Sequence, residues 1–238
     1  RNLCHSRLFM GKTPGQKAAR VKGVKMSESE ILRKIAVIFV TDVVGFSTLM
    51  AQNEELTLRS FRSCKEILDN LFEEYSGRIF NTAGDSVLAE FPSAVSAVIC
   101  AVEFQKLIKA RNASVNKEAQ MQFRIGLNMG DVIIEGTNLY GDGVNVAARL
   151  EALSQAGGVC LSKSIHDFVS QKVDLGFQDI GAQQVKNTNV HAFDVSIGGL
   201  APRQIAPTPP AIEPVEAGAP PSIAVLPFKN MSTDAEQE

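Results

Sequence analysis

The sequence lacks several features that mark common classes of protein. No apolar run approaches the roughly 18–20 residues of a membrane-spanning helix, so we expect no bilayer span in this chain, although a longer parent protein could carry one. The net charge of −2 provides no basic field that would attract nucleic acid. No Gly-rich loop of the P-loop or dinucleotide-binding type is present. We therefore expect a soluble protein without a nucleic-acid partner.

Cysteine pairs are also missing. The four cysteines are widely scattered and form no CxxC pair: Cys4, Cys64, Cys100 and Cys160. This pattern argues against a disulfide framework and against a zinc site, and it suits reduced thiols in a cytoplasm. We expect Cys64, Cys100 and Cys160 to be buried and inert.

The chain divides into four parts by composition. Residues 1–25 carry seven Lys/Arg and no acidic residue, which indicates a disordered basic arm, or vector-derived or upstream-translated sequence before Met26. Residues 33–197 carry the regular strand and helix patterns of a folded domain. Residues 199–222 hold seven prolines and are predicted to be a linker. Residues 223–238 resemble the truncated start of a second domain.

Strand and helix signals alternate within residues 33–197, which predicts an α/β (α+β) fold. Two buried or amphipathic elements come first, a strand at 34–40 and a helix at 54–75. Ser93 is expected to cap a second long helix. The remaining predicted elements are two strands at 77–91 around a Gly-Asp turn, two at 121–136 around a turn at 129–131, a helix over 141–158 ending at paired glycines, and short strands with one helix near 163–171.

Three polar clusters interrupt this apolar pattern. Asp42 follows the first predicted strand and Asp85 lies between the next two, so two carboxylates at strand edges could hold Mg²⁺. Asn145 and Arg149 are four residues apart, on one face of a predicted helix. An arginine near an amide can stabilise charge that develops on a phosphoryl group. Spacing alone leaves open that the aspartates form turns and that Asn145 and Arg149 are solvated surface residues.

The order of three motifs, "FVTDVVGFS", "NTAGDS" and "YGDGVNVAARLE", resembles the class III nucleotidyl cyclase catalytic domain, the family of adenylyl and guanylyl cyclases. The resemblance covers roughly residues 33–197. It implies a ferredoxin-like core with a central, mostly antiparallel sheet flanked by helices. It also implies a head-to-tail homodimer whose active sites lie at the subunit interface.

The resemblance assigns roles position by position. Asp42 and Asp85 match the two metal-binding aspartates, and the carbonyl of Val43 matches a position that also contacts a metal. Asn145 matches the residue that orients the ribose, and Arg149 matches the residue that stabilises the transition state at the phosphate. On this view Asp42 ends its strand because it holds metal at the edge of the sheet.

The reaction implied by the family is conversion of ATP to 3′,5′-cyclic AMP and pyrophosphate by attack of the ribose 3′-hydroxyl on the α-phosphorus. Two Mg²⁺ or Mn²⁺ ions per active site are the implied cofactors. Lys186, in "QQVKNTNVHAFDV", loosely matches a family lysine near the triphosphate, and the alternative is a plain surface lysine.

The sequence departs from the adenylyl cyclase pattern at both positions that read the base. Asn81 replaces the usual lysine, and Asn138 replaces the usual aspartate or threonine. Because an amide both donates and accepts hydrogen bonds, the pair suits adenine in one orientation and guanine in the other. We therefore expect weak discrimination between ATP and GTP.

Three alternatives to a catalytic cyclase remain. The first is a weak or inactive cyclase-like domain that binds nucleotide and regulates an attached C-terminal domain. The second is a diguanylate cyclase, whose "GGDEF" or "GGEEF" signature is missing. The third is a purely structural module. The tail "SIAVLPFKNMSTDAEQE" favours a bacterial multi-domain parent, because it resembles the segment that follows cyclase domains ahead of helical repeats.

Overall fold

The computed structural model describes residues 31–185 and 188–203 of the chain. The predicted basic arm at 1–25, the predicted second domain at 223–238, and Lys186 all lie outside the described residues, as does most of the predicted linker. The described elements are β1 Leu32–Val43, α1 Phe46–Gln52, α2 Glu54–Glu74, β2 Arg78–Ala83, β3 Ser86–Phe91, α3 Ala94–Ser114, a 3₁₀ turn Lys117–Ala119, β4 Phe123–Glu135, β5 Asn138–Tyr140, α4 Asp142–Leu153, β6 Val159–Ser162, α5 Lys163–Val169, β7 Phe177–Val185 and β8 Thr188–Val195.

These strands form one eight-stranded sheet in the order β2-β3-β1-β4-β6-β8-β7, with β5 added beside β4. Every strand pair is antiparallel except β4 with β6. The predicted central, mostly antiparallel sheet flanked by helices is therefore confirmed. The first strand, β1, is a central strand, so its end is not at the edge of the sheet as we expected.

Alternating residues of β1 face two different layers of helices, because successive side chains in a strand point to opposite faces. Val37, Phe39 and Val43 join the main core, which the helices α2, α3 and α5 cover. Ala36, Ile38 and Val40 join a smaller cluster that includes Ala147 of α4. The even-numbered positions of β1, and with them Asp42, therefore lie on the face that α4 covers.

The prediction of two strands around a turn at 129–131 is wrong. The chain runs straight through this segment as β4, which pairs with β1 from Phe123 to Ile134. Gly130 serves close packing instead of a turn, since a Cβ there would lie 3.2 Å from the Cα of Gly143 in α4. The turn comes later, at Gly136 with a φ of 60°, and it leads into the unpredicted strand β5.

The predicted end of the fourth helix is also wrong. The helix α4 ends at Leu153, and the backbone N–H of Ser154 closes its last turn on the carbonyls of Leu150 and Glu151. Gly157, with a φ of 77°, then forms the turn into β6. Other predictions hold: Ser93 caps α3 by accepting a hydrogen bond from Ser96 N, and the three cysteines within the described residues are buried.

Candidate active site

Two of the predicted metal ligands lie side by side at the C-terminal end of β1. Thr41 of β1 pairs with Val87, the second residue of β3, so the turn between β2 and β3 lies beside the C-terminal end of β1. Ser86 Oγ donates to Asp42 Oδ1 at 2.7 Å, and the backbone N–H of Val43 donates to Asp85 Oδ2 at 3.1 Å. The fold therefore brings Asp42 and Val43, which are neighbours in the sequence, together with Asp85, which lies 42 positions after Val43.

The setting of Asp85 disfavours its ionised form. Burial raises the pKa of Asp85 above its ordinary value, and a hydrogen bond and charge from Asp42 raise it further. The hydrogen bond from Val43 N–H acts in the opposite direction but does not cancel these effects. A pair of carboxylates held this way would gain from a cation placed between them.

Sequence reasoning missed two charged residues beside this pair. Arg124 lies opposite Asp42 in the β1–β4 register, and its Nη2 is 3.4 Å from Asp42 Oδ2. Its Nε is 3.0 Å from Oε1 of Glu151 on α4, although the angles leave both atoms without a hydrogen bond. A charge inside an apolar strand and another on the buried face of a helix are a signal that could have revealed this pair.

Glu151 has a perturbed acidity in this setting. Burial raises its pKa to about 7, the Arg124 guanidinium opposes the rise, and the carboxylates of Asp42 and Asp85 add to it. The effect of burial on the pKa of Glu151 is larger than the opposing effect of Arg124, because the guanidinium and the carboxyl group are close but not aligned for a hydrogen bond. The Arg124 guanidinium is therefore not neutralised by Glu151 alone, and it also interacts electrostatically with Asp42.

Asn145 and Arg149 lie on the outer side of α4. Asn145 is exposed and Arg149 is half-buried, whereas Ala147 and Leu150 on the same helix are buried against the sheet. Neither side chain forms a hydrogen bond or an ion pair with any other described residue. The structure thus places the amide–guanidinium pair on one face, as predicted, but it does not bring that pair into contact with Asp42 and Asp85 of the same chain.

The two predicted base-reading residues lie on neighbouring elements. Asn81 is exposed on β2, just after a bulge in its pairing with β3. Asn138 begins β5, and its Nδ2 is 3.2 Å from Tyr140 Oη. Their sequence neighbours Phe80 and Leu139 pack in one hydrophobic cluster, the one that also contains Ala147. No hydrogen bond joins the two asparagines within the described part of the chain.

The donor set at the end of β1 fits Mg²⁺ or Mn²⁺. Asp42, Asp85 and the backbone carbonyl of Val43 are hard oxygen ligands, and Mg²⁺ is typically held by one or two carboxylates, waters and substrate phosphates. The residues at 31–185 and 188–203 include no group of three or more His, Cys, Asp and Glu that could hold a metal by itself. A metal at this site would therefore depend on nucleotide to complete its coordination.

Comparison with known proteins decides the family. The family model described as "Adenylate and Guanylate cyclase catalytic domain" matches residues 27–196. The chain belongs to this cyclase family. The three motifs quoted above all fall within the matched region.

Individual relatives agree with this assignment. The chain is 43% identical over 216 residues to a putative adenylate cyclase 3 from Rhizobium meliloti, covering 89% of this chain and 36% of that protein. It is 36% identical to the crystal structure of an adenylate/guanylate cyclase/hydrolase from Silicibacter pomeroyi, with a TM-score of 0.64 and coverage of 68% of this chain and 96% of that chain. The adenylyl cyclase CyaB from P. aeruginosa, at 24% identity, shares the fold with a TM-score of 0.62, covering 74% of this chain and 99% of that chain.

The cyclase domain accounts for only part of such proteins. The chain spans 36% of the Rhizobium meliloti relative and smaller shares of the next curated relatives, 16% and 14%. None of the helices in the described residues combines the length and apolar character needed to cross a membrane.

Proposed function

We propose that this domain converts ATP to 3′,5′-cyclic AMP and pyrophosphate, with relaxed selectivity between ATP and GTP. The observation that carries the proposal is the adjacent pair Asp42 and Asp85 at the end of a central strand, beside the backbone of Val43 and the guanidinium of Arg124. The family assignment supports nucleotide cyclisation as the reaction class. The location we propose for this activity is the cytoplasm.

The bond changes of this reaction are simple. The ribose O3′ forms a bond to the α-phosphorus, and the bond from that phosphorus to the oxygen bridging the α- and β-phosphates breaks. Pyrophosphate leaves with the bonding electrons, and the 3′-hydroxyl loses its proton to solvent. Divalent ions held by Asp42, Asp85 and the Val43 carbonyl would lower the pKa of the hydroxyl and neutralise phosphate charge.

The residues of α4 have complementary tasks in this proposal. Asn145 orients the ribose so that O3′ faces the α-phosphorus, and Arg149 stabilises the charge that develops on the phosphoryl oxygens. Neither side chain forms a hydrogen bond or an ion pair with Asp42, Asp85 or any other described residue. This arrangement supports a site that is completed by a second subunit.

A head-to-tail homodimer is therefore part of the proposal. Four of the six large apolar side chains that are exposed in the described residues occur near the start of β1 and on β5, namely Ile31, Leu32, Ile35 and Tyr140. Leu32 pairs with Ile134 and Tyr140 pairs with Ile133, so these side chains share one end of the sheet. An apolar surface of this kind is suited to contact with a second copy.

The expected purine preference follows from Asn81 and Asn138. A pocket rejects a wrong base mainly by leaving buried polar groups unpaired, and two amides can reverse their donors and acceptors. We expect the purified chain with Mn²⁺ or Mg²⁺ to turn over ATP and GTP with kcat/KM values within about tenfold of each other.

The test combines both nucleotides with a designed variant. Asn81→Lys together with Asn138→Asp should raise the preference for ATP by about tenfold, since it restores charge-assisted hydrogen bonds. Asn70→Lys, at an exposed position of α2, is the matched control and should leave the ratio unchanged. A strong ATP preference in the unmodified chain would refute the role of the two amides.

A regulatory domain without turnover is the second candidate, and the two asparagines at the base positions favour it. This candidate predicts that nucleotide binds while neither cyclic AMP nor cyclic GMP accumulates. Calorimetric titration with a non-hydrolysable ATP analogue, beside a turnover assay on the same sample, separates the two functions.

A further inference from the structure

The chain continues past β8 in an ordered segment, Ile197–Arg203, which we call the C-terminal strap. Its first residues form a turn in which Leu200 N–H donates to the carbonyl of Ile197 at 3.0 Å. Lys109 of α3 donates from Nζ to the carbonyl of Gly198 at 2.9 Å. The region matched by the cyclase family ends at residue 196, so the strap lies outside it.

The strap ends in a bifurcated clamp made by Arg203. Its Nε and Nη2 contact the two carboxylate oxygens of Asp194 at 2.8 and 3.1 Å. Asp194 lies on β8 and is only 8% exposed, so its charge requires a close partner. The same Nη2 also donates to the backbone carbonyl of Leu153 at 2.7 Å.

The main chain of Arg203 is held as well. Gln178 of β7 accepts from the N–H of Arg203 through Oε1 at 2.9 Å, and it donates from Nε2 to the carbonyl of Arg203 at 2.7 Å. One amide side chain therefore pairs with both polar groups of a single residue. This pairing fixes the position from which the guanidinium reaches Asp194 and Leu153.

Leu153 is the last residue of α4, so the hydrogen bond from Arg203 reaches the C-terminal end of this helix. The final carbonyls of a helix have no partner within the helix, and they are usually satisfied by solvent or a capping group. A cation at this end also interacts favourably with the helix dipole. Arg203 thus caps α4 from a position 50 residues later in the chain.

We propose that Arg203 is a positioning residue for the cyclase reaction, because it holds the last turn of the helix that carries Asn145 and Arg149. Arg149 lies four residues before Leu153, so the clamped turn is the one that begins at Arg149. The proposal rests on the proposed function for the roles of Asn145 and Arg149, but the clamp itself does not.

The test uses the full 238-residue chain and the variant Arg203→Lys. A lysine keeps a positive charge opposite Asp194, so the fold is retained, but it has no planar fork to bridge Asp194 and Leu153. Backbone amides in the last turn of α4 should exchange with deuterium several-fold faster than in the unmodified chain. The kcat with ATP should fall by about tenfold while KM stays within about twofold, because Arg149 acts on the transition state.

Two further variants accompany the test. Lys109→Met removes the other tether of the strap without touching α4, and it should change neither the exchange of α4 nor kcat. Arg203→Met combined with Asp194→Asn removes the whole ion pair without leaving a buried charge, and it should reproduce or exceed the effect of Arg203→Lys.

Each outcome decides a different point. Unchanged amide exchange in α4 for both Arg203 variants would overturn the clamp. Faster exchange with unchanged kcat would show that the clamp is structural and would overturn the positioning role. If the unmodified chain turns over neither ATP nor GTP, the proposed function fails, and the exchange comparison alone then tests whether Arg203 holds α4.

Discussion

Arg124 is shared between two acidic side chains that differ in burial. Asp42 keeps 22% of its side chain exposed near the end of β1, whereas Glu151 keeps 11% under α4. Because burial raises the pKa of Glu151, this carboxyl is protonated more readily than a solvent-exposed glutamate, and the guanidinium then remains available to interact with Asp42 and with an incoming anion. The same cation therefore supports the structure and contributes charge to the candidate site.

The raised pKa of Glu151 predicts a pH-dependent stability. A carboxyl group whose pKa rises from 4.5 to about 7 on folding binds its proton more tightly in the folded state. The free energy of unfolding should therefore be highest below about pH 4.5 for this group and should fall by up to about 3 kcal/mol as pH rises to 7. Urea unfolding in metal-free buffer between pH 5 and pH 8 measures this.

Glu151→Gln is the matched variant for that measurement. It keeps the size of the side chain and removes its titration, so the fall in stability with pH should become shallower, while Asp85, whose pKa is raised in the same direction, still contributes. A slope as steep as in the unmodified chain would show that Glu151 does not titrate in this range.

The candidate ligands and the guanidinium on α4 should be indispensable for turnover. Asp42→Asn and Arg149→Ala should each lower kcat by about 10²-fold or more while the far-UV circular dichroism spectrum stays unchanged. Asp69→Asn, which removes a partly exposed carboxylate from a helical ion pair with Lys65, is the control and should retain full activity. Activity of either site variant at the unmodified rate would contradict the site assignment.

The sequence was informative about individual site residues where motifs carry them. Asp42, Asp85, Asn145 and Arg149 all stand in short motifs that can be compared across a family. Arg124 stands in a strand whose other residues are mostly apolar, and its importance arises only from the register that places it opposite Asp42. Lys186 lies outside the described residues, so its proposed contact with the triphosphate stays a prediction.

Strand β4 and helix α4 approach each other closely near the site. A Cβ at Gly126 would lie 2.1 Å from Glu151 N and 2.2 Å from the carbonyl oxygen of Ala147. These are backbone atoms of a helix, so they cannot move aside without shifting α4. Gly126 therefore sets how near Glu151 comes to Arg124.

Gly126→Ala should destabilise the domain by at least about 3 kcal/mol, since the added methyl group overlaps backbone. Gly198→Ala is a suitable control, because a Cβ there would meet no atom within 4 Å. Urea unfolding followed by circular dichroism gives the difference in the free energy of unfolding. A loss below about 1 kcal/mol for Gly126→Ala would mean that α4 can move away from the sheet with little cost.

Glycines also explain which elements could be predicted from the sequence. The long helices α2 and α3 both begin at a side chain that accepts a capping hydrogen bond, and the sequence predicted α2 to within one residue and the start of α3 from its cap Ser93. The segment around Gly130 reads as a turn, yet its glycine is needed for the approach of α4, which no local pattern reveals. For the same reason β5 was missed, since its three residues pair with β4 only because β4 continues that far.

At the scale of the whole molecule, α4 has two functional sides. Its buried side carries Glu151, which reaches Arg124 next to the aspartates of the same chain. Its outer side carries Asn145 and Arg149, whose side chains form no hydrogen bond or ion pair with the described residues. In the proposed dimer each α4 therefore supports the metal-binding half of one site and supplies the ribose- and phosphate-binding half of the other.

This division predicts complementation between two inactive variants. When equal amounts of Asp42→Asn and Arg149→Ala chains are mixed and allowed to exchange subunits, about half of the dimers contain one chain of each kind. Such a dimer has one site with both defects and one intact site, so activity should recover to about a quarter of the unmodified value.

The control for complementation is a mixture of Asp42→Asn with Asp85→Asn. Both changes damage the carboxylate pair of their own chain, so every site in the mixed dimer lacks one aspartate and no activity should return. Recovery in this control, or no recovery with Arg149→Ala, would contradict a site divided between subunits. Cyclic AMP formation, measured by chromatography after mixing at a concentration where the unmodified chain is dimeric by light scattering, distinguishes these results.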